Sequence, residues 1–279
     1  MVKNQLILLG LILSFSYSQD IKIMTYNIRY DNPNDGENNW ENRKDIIINQ
    51  IQYYDPDIIG TQEGLGHQID YINNNLESFN YVGVSRADAS EMGGGEYSAI
   101  FYNIDKYTEL KNNTFWLSDT PDKPSRGWDA SLNRICTYVL LKDNNSDITF
   151  FVFNTHFDHI GDKAREKSVE LILEKIGSIN RKNLPLFLIG DFNLTPDELP
   201  IRLIVKKLYD SKKISKGTPF GPDGTFNGFD IYKIHDKRID YIFVSKNKII
   251  VKKYAVLANI KWERFPSDHF PVFIQAKMK

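Results

Sequence analysis

Residues 185–200 read PLFLIGDFNLTPDELP. Leu186, Phe187, Leu188 and Ile189 form a short apolar run of the kind that fills a strand buried on both faces. Gly190 interrupts it, Asp191 and Asn193 follow, and Thr195, Pro196 and Asp197 read as the opening of a helix. A carboxylate and a carboxamide at the mouth of a core strand have two readings. They cap free N–H groups in a strand-to-helix turn, or they form the floor of a polar site.

The chain has 279 residues, 41% of them hydrophobic and 13% aromatic. No composition shift, repeat or linker divides it, so a single domain is expected. Lys3, the apolar run QLILLGLILSF and small residues at Ser16 and Ser18 read as a secretory signal peptide over residues 1–18. A domain over 19–279 then remains, secreted or periplasmic. The alternative is an N-terminal anchor helix, which the short run disfavours. Without the leader's one lysine, the formal charge moves from −1 to −2. That balance argues against a protein that coats nucleic acid nonspecifically, though not against a local basic groove. One cysteine, Cys136, cannot form an internal disulfide and reads as a small apolar strand residue.

Strand-like runs occur at 21–28, 57–63, 97–102, 135–142, 148–156, 185–192, 238–245, 249–257 and 270–278. Helical stripes lie between some of them. One carries Ile47, Ile48, Ile51 and Tyr54 and stops at Pro56; another carries Val169, Ile172, Leu173 and Ile176. Such a mixture predicts sheets covered on an outer face by helices. Two polar segments, 29–40 and 117–133, read as long loops with Trp40 and Trp128 near their ends.

The polar residues at strand ends form an unusual inventory. Asn27 lies late in the first strand, Glu63 ends the second, and His156 closes FFVFNTH. Asp240 interrupts RIDYIFV, and Asp268 and His269 precede the last strand. Each alone reads as a cap or a satisfied buried group. Together with Asp191 and Asn193 they are expected to converge on a metal ion or on one another, because unpaired buried charge is costly. Carboxylates with a carboxamide, and no clustered Cys or His, suit Mg²⁺ or Mn²⁺ rather than zinc. No H-E-x-x-H, Walker loop, GxGxxG turn or GxSxG elbow is present.

The motifs MTYNIR, GTQE, NTHFDH, GDFN, RIDYIF and SDHFPV occur in the order of the endonuclease/exonuclease/phosphatase superfamily, which the chain resembles from Ile23 to Val272. GTFNGF followed by RIDYIF is most similar to the branch of the CCR4 and nocturnin-type deadenylases. The resemblance implies a four-layer α/β sandwich of the DNase I-like kind, two mixed β-sheets packed face to face and flanked by helices, with the site at one end. It also implies roles. Glu63 is the main metal ligand, with Asn27 and Asp268 beside it. Asp191 and Asn193 orient the attacking water and contact the phosphoryl group. His269 contacts a phosphoryl oxygen or handles a proton, Asp240 sets its tautomer, and His156 approaches from the opposite wall. Glu96 stands where the family places a site-facing acid.

The activity so implied is metal-dependent hydrolysis of a phosphate ester by in-line water attack. Three substrate readings remain. One is a nuclease or nucleotide phosphodiesterase, with Trp116, Trp128, Tyr97 and Phe229 as stacking rings and Arg134 and Arg165 as phosphate clamps. The second is a phosphomonoesterase or phospholipase on a sugar phosphate, inositol phosphate or sphingomyelin. The third is a non-catalytic binding protein, which would have lost the site residues present here. The first is favoured, and the chain is expected to act as a monomer with no protein partner. The glycines at 93–95 read as a flexible turn or a phosphate-cradling loop.

Overall fold

A computed structural model of the protein describes residues 20–87 and 95–279. The expected leader and Gly93 and Gly94 lie outside the described residues. In chain order the elements are β1 (Ile21–Asn27), α1 (Trp40–Tyr54), β2 (Ile58–Gln62), α2 (Gly66–Asn74), β3 (Phe79–Val82), β4 (Ile100–Asn103), β5 (Tyr107–Trp116), β6 (Ile135–Asp143) and β7 (Thr149–His156). Then follow α3 (Asp162–Ile179), β8 (Leu186–Asp191), α4 (Leu199–Lys207), β9 (Leu208–Asp210), α5 (Ser211–Ile214), β10 (Asp240–Ser245), β11 (Ile249–Val256) and β12 (Val272–Met278).

The strands form two six-stranded sheets, ordered β11-β12-β1-β2-β4-β3 and β5-β6-β7-β8-β10-β9. Both are mixed: β1 runs parallel to β2 and β7 parallel to β8, while their other pairings are antiparallel. The sheets share one apolar core, to which Ile23, Ile58, Val152, Phe187, Ile189 and Ile274 contribute. On the outer face of the first sheet, Ile47 and Ile51 of α1 and Ile69 and Ile72 of α2 pack against Met24, Tyr26 and Ile59. On the outer face of the second, Val169 and Ile172 of α3 and Ile201 and Ile204 of α4 pack against Phe153, Leu188 and Phe243. The layers are therefore helix, sheet, sheet, helix, the DNase I-like sandwich.

This layering explains the apolar run in β8. Phe187 and Ile189 face the inter-sheet core while Leu186 and Leu188 face the helices, so side chains are buried on both sides. Gly190 does not break the strand, as its sequence suggested. It pairs with Tyr241 of β10 and Thr155 of β7, at φ +145°. A Cβ there would stand 2.0 Å from the Thr155 carbonyl oxygen, so only glycine lets the strand pass and turn Asp191 toward the site.

α1 and α3 lie where their apolar stripes place them. Asn39 caps α1 by accepting from the Asn42 N–H at 3.1 Å, and the chain leaves it at Asp55 in a left-handed conformation. The helix expected from residue 195 begins later, at Leu199. Glu198 first folds back to accept the Thr195 N–H at 2.5 Å, making 195–198 a turn. Cys136 is wholly buried in β6, and burial drives its thiol pKa up, as a packing residue requires. Among the described residues no helix is long and apolar enough to cross a membrane.

Candidate active site

Strand register assembles the site. In the second sheet His156 of β7 pairs with Asp191 of β8, and Asp191 pairs with Asp240 of β10. Three adjacent strands thus present an imidazole and two carboxylates at one level. The first sheet brings Asn27 at the end of β1, level with Gln62, and Glu63 follows at φ +65°. Asn27 joins the two sheets: its amide donates to Glu63 Oε1 and to Asp191 Oδ2, each at 3.0 Å. Its own Oδ1 accepts the Arg29 N–H at 3.0 Å. Beneath the site, Gln62 and Asn154 form a second polar bridge between the sheets, at 2.7 Å.

The last contribution comes from the loop before β12. Ser267 donates its hydroxyl to the Asn27 carbonyl at 2.7 Å, placing Asp268 and His269 against β1. His269 Nδ1 lies 2.9 Å from Asp240 Oδ2, and its Nε2 lies 3.8 Å from Asp191 Oδ2. His156 approaches Asp191 from the other side, with Nε2 3.6 Å from the same oxygen. Asn193, at φ +50°, places its amide nitrogen 3.2 Å from His156 Nε2 and donates to the Phe157 carbonyl at 3.0 Å.

These groups line or underlie a cleft of about 470 Å³. Glu63, Asp191, Asn193, His156, Asp268, His269, Glu96 and Arg134 open onto it. Asn27 and Asp240 support them from below. Two expected substrate contacts are corrected. Arg165 points away, because its guanidinium is taken up by the Asp158 carbonyl, at 3.1 Å, and by Asp162. Trp128 is held outside the cleft by its indole N–H, which donates to Asp119 at 3.1 Å.

The structure adds groups that motif reading did not assign. Arg29 forms a two-pronged pair with Asp35, at 2.9 Å for each bond, and leaves Nη1 3.8 Å from both Glu63 and Asp268. Arg86 donates to Glu96 at 2.6 Å while its backbone carbonyl accepts from the Trp116 indole, at 2.9 Å. Arg134 reaches Asp158 at 3.3 Å and His159 at 3.0 Å, and its buried Nη1 has no partner among the described residues. His159 lay in the NTHFDH motif, visible but unused; Arg86 carried no signal at all. Arg43 is wholly buried and donates to the carbonyls of Ile28, Asn38 and Pro266 at 2.6–2.9 Å, clamping the loops that carry Arg29 and Asp268.

The two imidazoles are driven in opposite directions. Burial, then the positive charges of Arg134 and Arg86, hold His156 well below its ordinary pKa, so it is neutral. Burial opposes charge on His269 too, but Asp240 and Asp191 override it and raise His269 to about 10. Asp191 itself is raised, chiefly by burial and by Asp240. Burial likewise raises Glu96, against Arg86, and Asp268. One charged imidazole, one neutral one and a carboxyl reluctant to ionise are the components of proton transfer near neutral pH.

Two donor sets could hold a cation. Asp191, Asp240 and His269 offer ligand atoms within 4.8 Å of one another. A His269 that keeps its proton is a poor ligand, however. Asn27 turns its amide nitrogen to Glu63 and its oxygen to the Arg29 N–H. Glu63 and Asp268 supply carboxylate oxygens, and the Arg29 guanidinium 3.8 Å from each marks a place where positive charge is favoured. That set fits a hard divalent cation.

Comparison with known proteins accords with this geometry. A model of the Endonuclease/Exonuclease/phosphatase family matches residues 24–269. A solved mannosyl-6-phosphatase from Bacteroides thetaiotaomicron is 40% identical, with a TM-score of 0.86 over 92% of this chain and 99% of its own. An uncharacterized protein of Acanthamoeba polyphaga mimivirus is 30% identical over 84% of this chain and 91% of its own. Nocturnin of Mus musculus is 24% identical over 90% of this chain, which spans 63% of nocturnin's length.

Proposed function

The chain belongs to the endonuclease/exonuclease/phosphatase family, and from that membership we propose that it is a metal-dependent phosphomonoesterase acting on a phosphorylated sugar. One observation carries the choice among phosphate esters. The rings that a nucleic-acid reading requires are not in the cleft. Trp116 is buried against Arg86, Trp128 is tied to Asp119, and Phe229 lies over Arg43 at 5.5 Å. Tyr97 packs with the outer core of the first sheet. The rings that do line the cleft, Tyr30 and Phe226, are engaged by Arg29 at 4.6 Å and by His269 at 5.1 Å. Beside the aliphatic Leu132 and Ile239, the lining offers Arg86, Arg134, His159 and Lys237, suited to phosphate oxygens and hydroxyls. The likeness to a mannosyl-6-phosphatase supports the same reading.

In this reading Asp191 accepts a proton from the attacking water, its raised pKa matching that task near neutral pH. The His269 imidazolium and the Asn193 amide donate hydrogen bonds to the charge that develops on the phosphoryl group. Asp240 keeps His269 protonated and oriented. Arg134, which lines the cleft, binds a phosphate oxygen, and neutral His156 holds Asn193 in place. Mg²⁺ or Mn²⁺ held by Glu63 and Asp268 would neutralise phosphoryl charge as a Lewis acid, with the Asn27 amide orienting Glu63. A leader over residues 1–18 would deliver the enzyme outside the cytoplasm, which N-terminal sequencing of the mature protein tests.

A second reading, a phosphodiesterase on RNA or a nucleotide, is favoured by the similarity to a 3'-5'-exoribonuclease subunit, Ccr4 of Emericella nidulans, 22% identical over 86% of this chain. The test is hydrolysis of hexose 6-phosphates, p-nitrophenyl phosphate, bis-p-nitrophenyl phosphate and single-stranded RNA, with Mg²⁺, Mn²⁺ or EDTA. Cleavage of hexose phosphates that EDTA and Asp191→Ala both abolish supports the proposal. Cleavage of RNA or the diester alone replaces it with the second reading.

A further inference from the structure

The motif NTHFDH, residues 154–159, supplies two imidazoles to the cleft. His156 closes β7 and meets Asn193. His159 follows on the segment between β7 and α3, and it lines the same cleft at another depth. Asp191, His269 and Arg134 are buried at the floor, whereas His159 and Leu132 are exposed at the mouth.

The polarity of the His159 ring is fixed from behind. Its Nδ1 lies 3.0 Å from Arg134 Nη2. A guanidinium only donates, so Nδ1 accepts, and the single proton of the neutral ring sits on Nε2. Arg134 is itself held, because its Nε lies 3.3 Å from Asp158 Oδ2. Asp158 in turn accepts the N–H groups of Ile160 and Gly161 at 3.0 and 2.8 Å and the Ser131 hydroxyl at 2.8 Å. A second proton on His159 would set two donors and two positive charges against each other. Burial and then Arg134 accordingly hold its pKa below the ordinary value. Nε2 has no hydrogen-bond partner among the described residues. His159 thus brings to the mouth of the cleft one neutral donor whose orientation is set in advance.

The chemistry of that donor chooses its acceptor. A phosphoryl group draws charged donors, and the floor already supplies the His269 imidazolium and the Arg134 guanidinium. A neutral N–H lacks that charge assistance and suits an uncharged oxygen. With the phosphorus at Asp191, the esterified sugar lies outward, toward the exposed lining residues, and a hydroxyl close to the phosphate held by Arg134 comes against His159. We propose that His159 is a specificity-determining residue whose Nε2–H donates to a hydroxyl of the esterified sugar, selecting sugar phosphates over phosphate esters that lack hydroxyls. The proposal rests on the sugar-phosphate reading above.

Two substitutions separate the two ring nitrogens. Asparagine can replace the Nδ1 acceptor and glutamine the Nε2 donor. The experiment measures kcat and KM for the wild type, His159→Asn and His159→Gln on mannose 6-phosphate and p-nitrophenyl phosphate, with inorganic phosphate as inhibitor. In His159→Asn, kcat/KM on mannose 6-phosphate should fall about tenfold further than on p-nitrophenyl phosphate, through KM, as the loss of one hydrogen bond. His159→Gln should recover most of that loss, and inorganic phosphate should inhibit all three proteins alike. Equal losses on both substrates, or a His159→Asn protein that matches the wild type or outperforms His159→Gln, overturns the proposal and leaves the ring only the seating of Arg134. A phosphate inhibition constant that rises in step with KM assigns the donor to the phosphate oxygens and overturns it as well. In each of these cases hydrolysis of mannose 6-phosphate by the wild type keeps the sugar-phosphate reading standing. A wild type that cleaves p-nitrophenyl phosphate and no hexose 6-phosphate overturns that reading, and the role of His159 with it.

Discussion

His269 and Asp240 hold each other through one 2.9 Å hydrogen bond, and the second Asp240 oxygen, Oδ1, is buried with no partner among the described residues. All the hydrogen bonding that Asp240 offers through its side chain is therefore spent on the imidazole. A carboxylate so placed acts on charge and orientation together.

Replacing Asp240 by Asn should accordingly shift the pH profile as well as lower the rate. Burial disfavours the imidazolium, and Asp240 and Asp191 raise it to about 10. A raised His pKa contributes stability that is fully present below the unfolded value, near 6.5, and is lost as pH rises through about 10. In Asp240→Asn the alkaline fall in kcat should move to lower pH, and the native protein's advantage below pH 6.5 should shrink. An unchanged alkaline limb would remove His269 from the proton chemistry.

Asp191 should show a trade between activity and stability. Burial and Asp240 raise its pKa, so its ionised form destabilises the fold above the ordinary carboxylate range. Asp191→Asn, measured in EDTA at pH 7, should melt at a higher temperature than the wild type. The same variant should lose about 10³-fold in kcat, as removal of a general base does. A lower Tm together with near-normal activity would contradict both expectations.

Asp158 makes the opposite prediction in acid. Burial would raise it, but the N–H groups of Gly161 and Ile160, the Ser131 hydroxyl and Arg134 together hold it well below the usual carboxylate range. Its contribution is present above pH 3.8 and lost as pH falls through the folded value. Asp158→Ala should cost about 3 kcal/mol at pH 7, because it leaves Arg134 buried without its carboxylate. Denaturant titrations at pH 7 and pH 3 should show the gap closing in acid. KM should rise too, since Arg134 loses its anchor.

Arg43 should prove structural and yet control the site. Arg43→Met leaves buried carbonyls on three segments unpaired, at a cost of about 3 kcal/mol or more. Arg29 and Asp268 then lose their shared support, so Mg²⁺ affinity measured by calorimetry should fall even in folded protein. Retained affinity would mean that the clamp serves stability alone.

The legibility of the chain follows from the period of each segment. β8, α1 and α3 were readable because burial on a defined face writes a clear pattern, and Asp191 was readable because it stands at a strand mouth. β5 was not. A register shift between Glu109 and Lys111 breaks its alternation, and its central residues are polar and exposed. α2 begins on Gly66 and is rich in Asn, both weak helix signals. Arg43 looked like any surface arginine on an amphipathic helix, because burial of a cation depends on carbonyls far away in sequence. Arg165 failed for the converse reason: nearness to a motif in sequence says nothing about which way a helix turns its side chain.

The bridge from Asn27 to Asp191 has a kinetic consequence. The groups it gathers are spread from residue 27 to residue 269, on strands of both sheets. No segment of the chain, and neither sheet alone, contains a working set. Contacts of such long sequence separation form late and slowly, after the intervening loops have closed. Recovery of hydrolysis during refolding would thus report the docking of the two sheets, lagging behind the return of secondary structure.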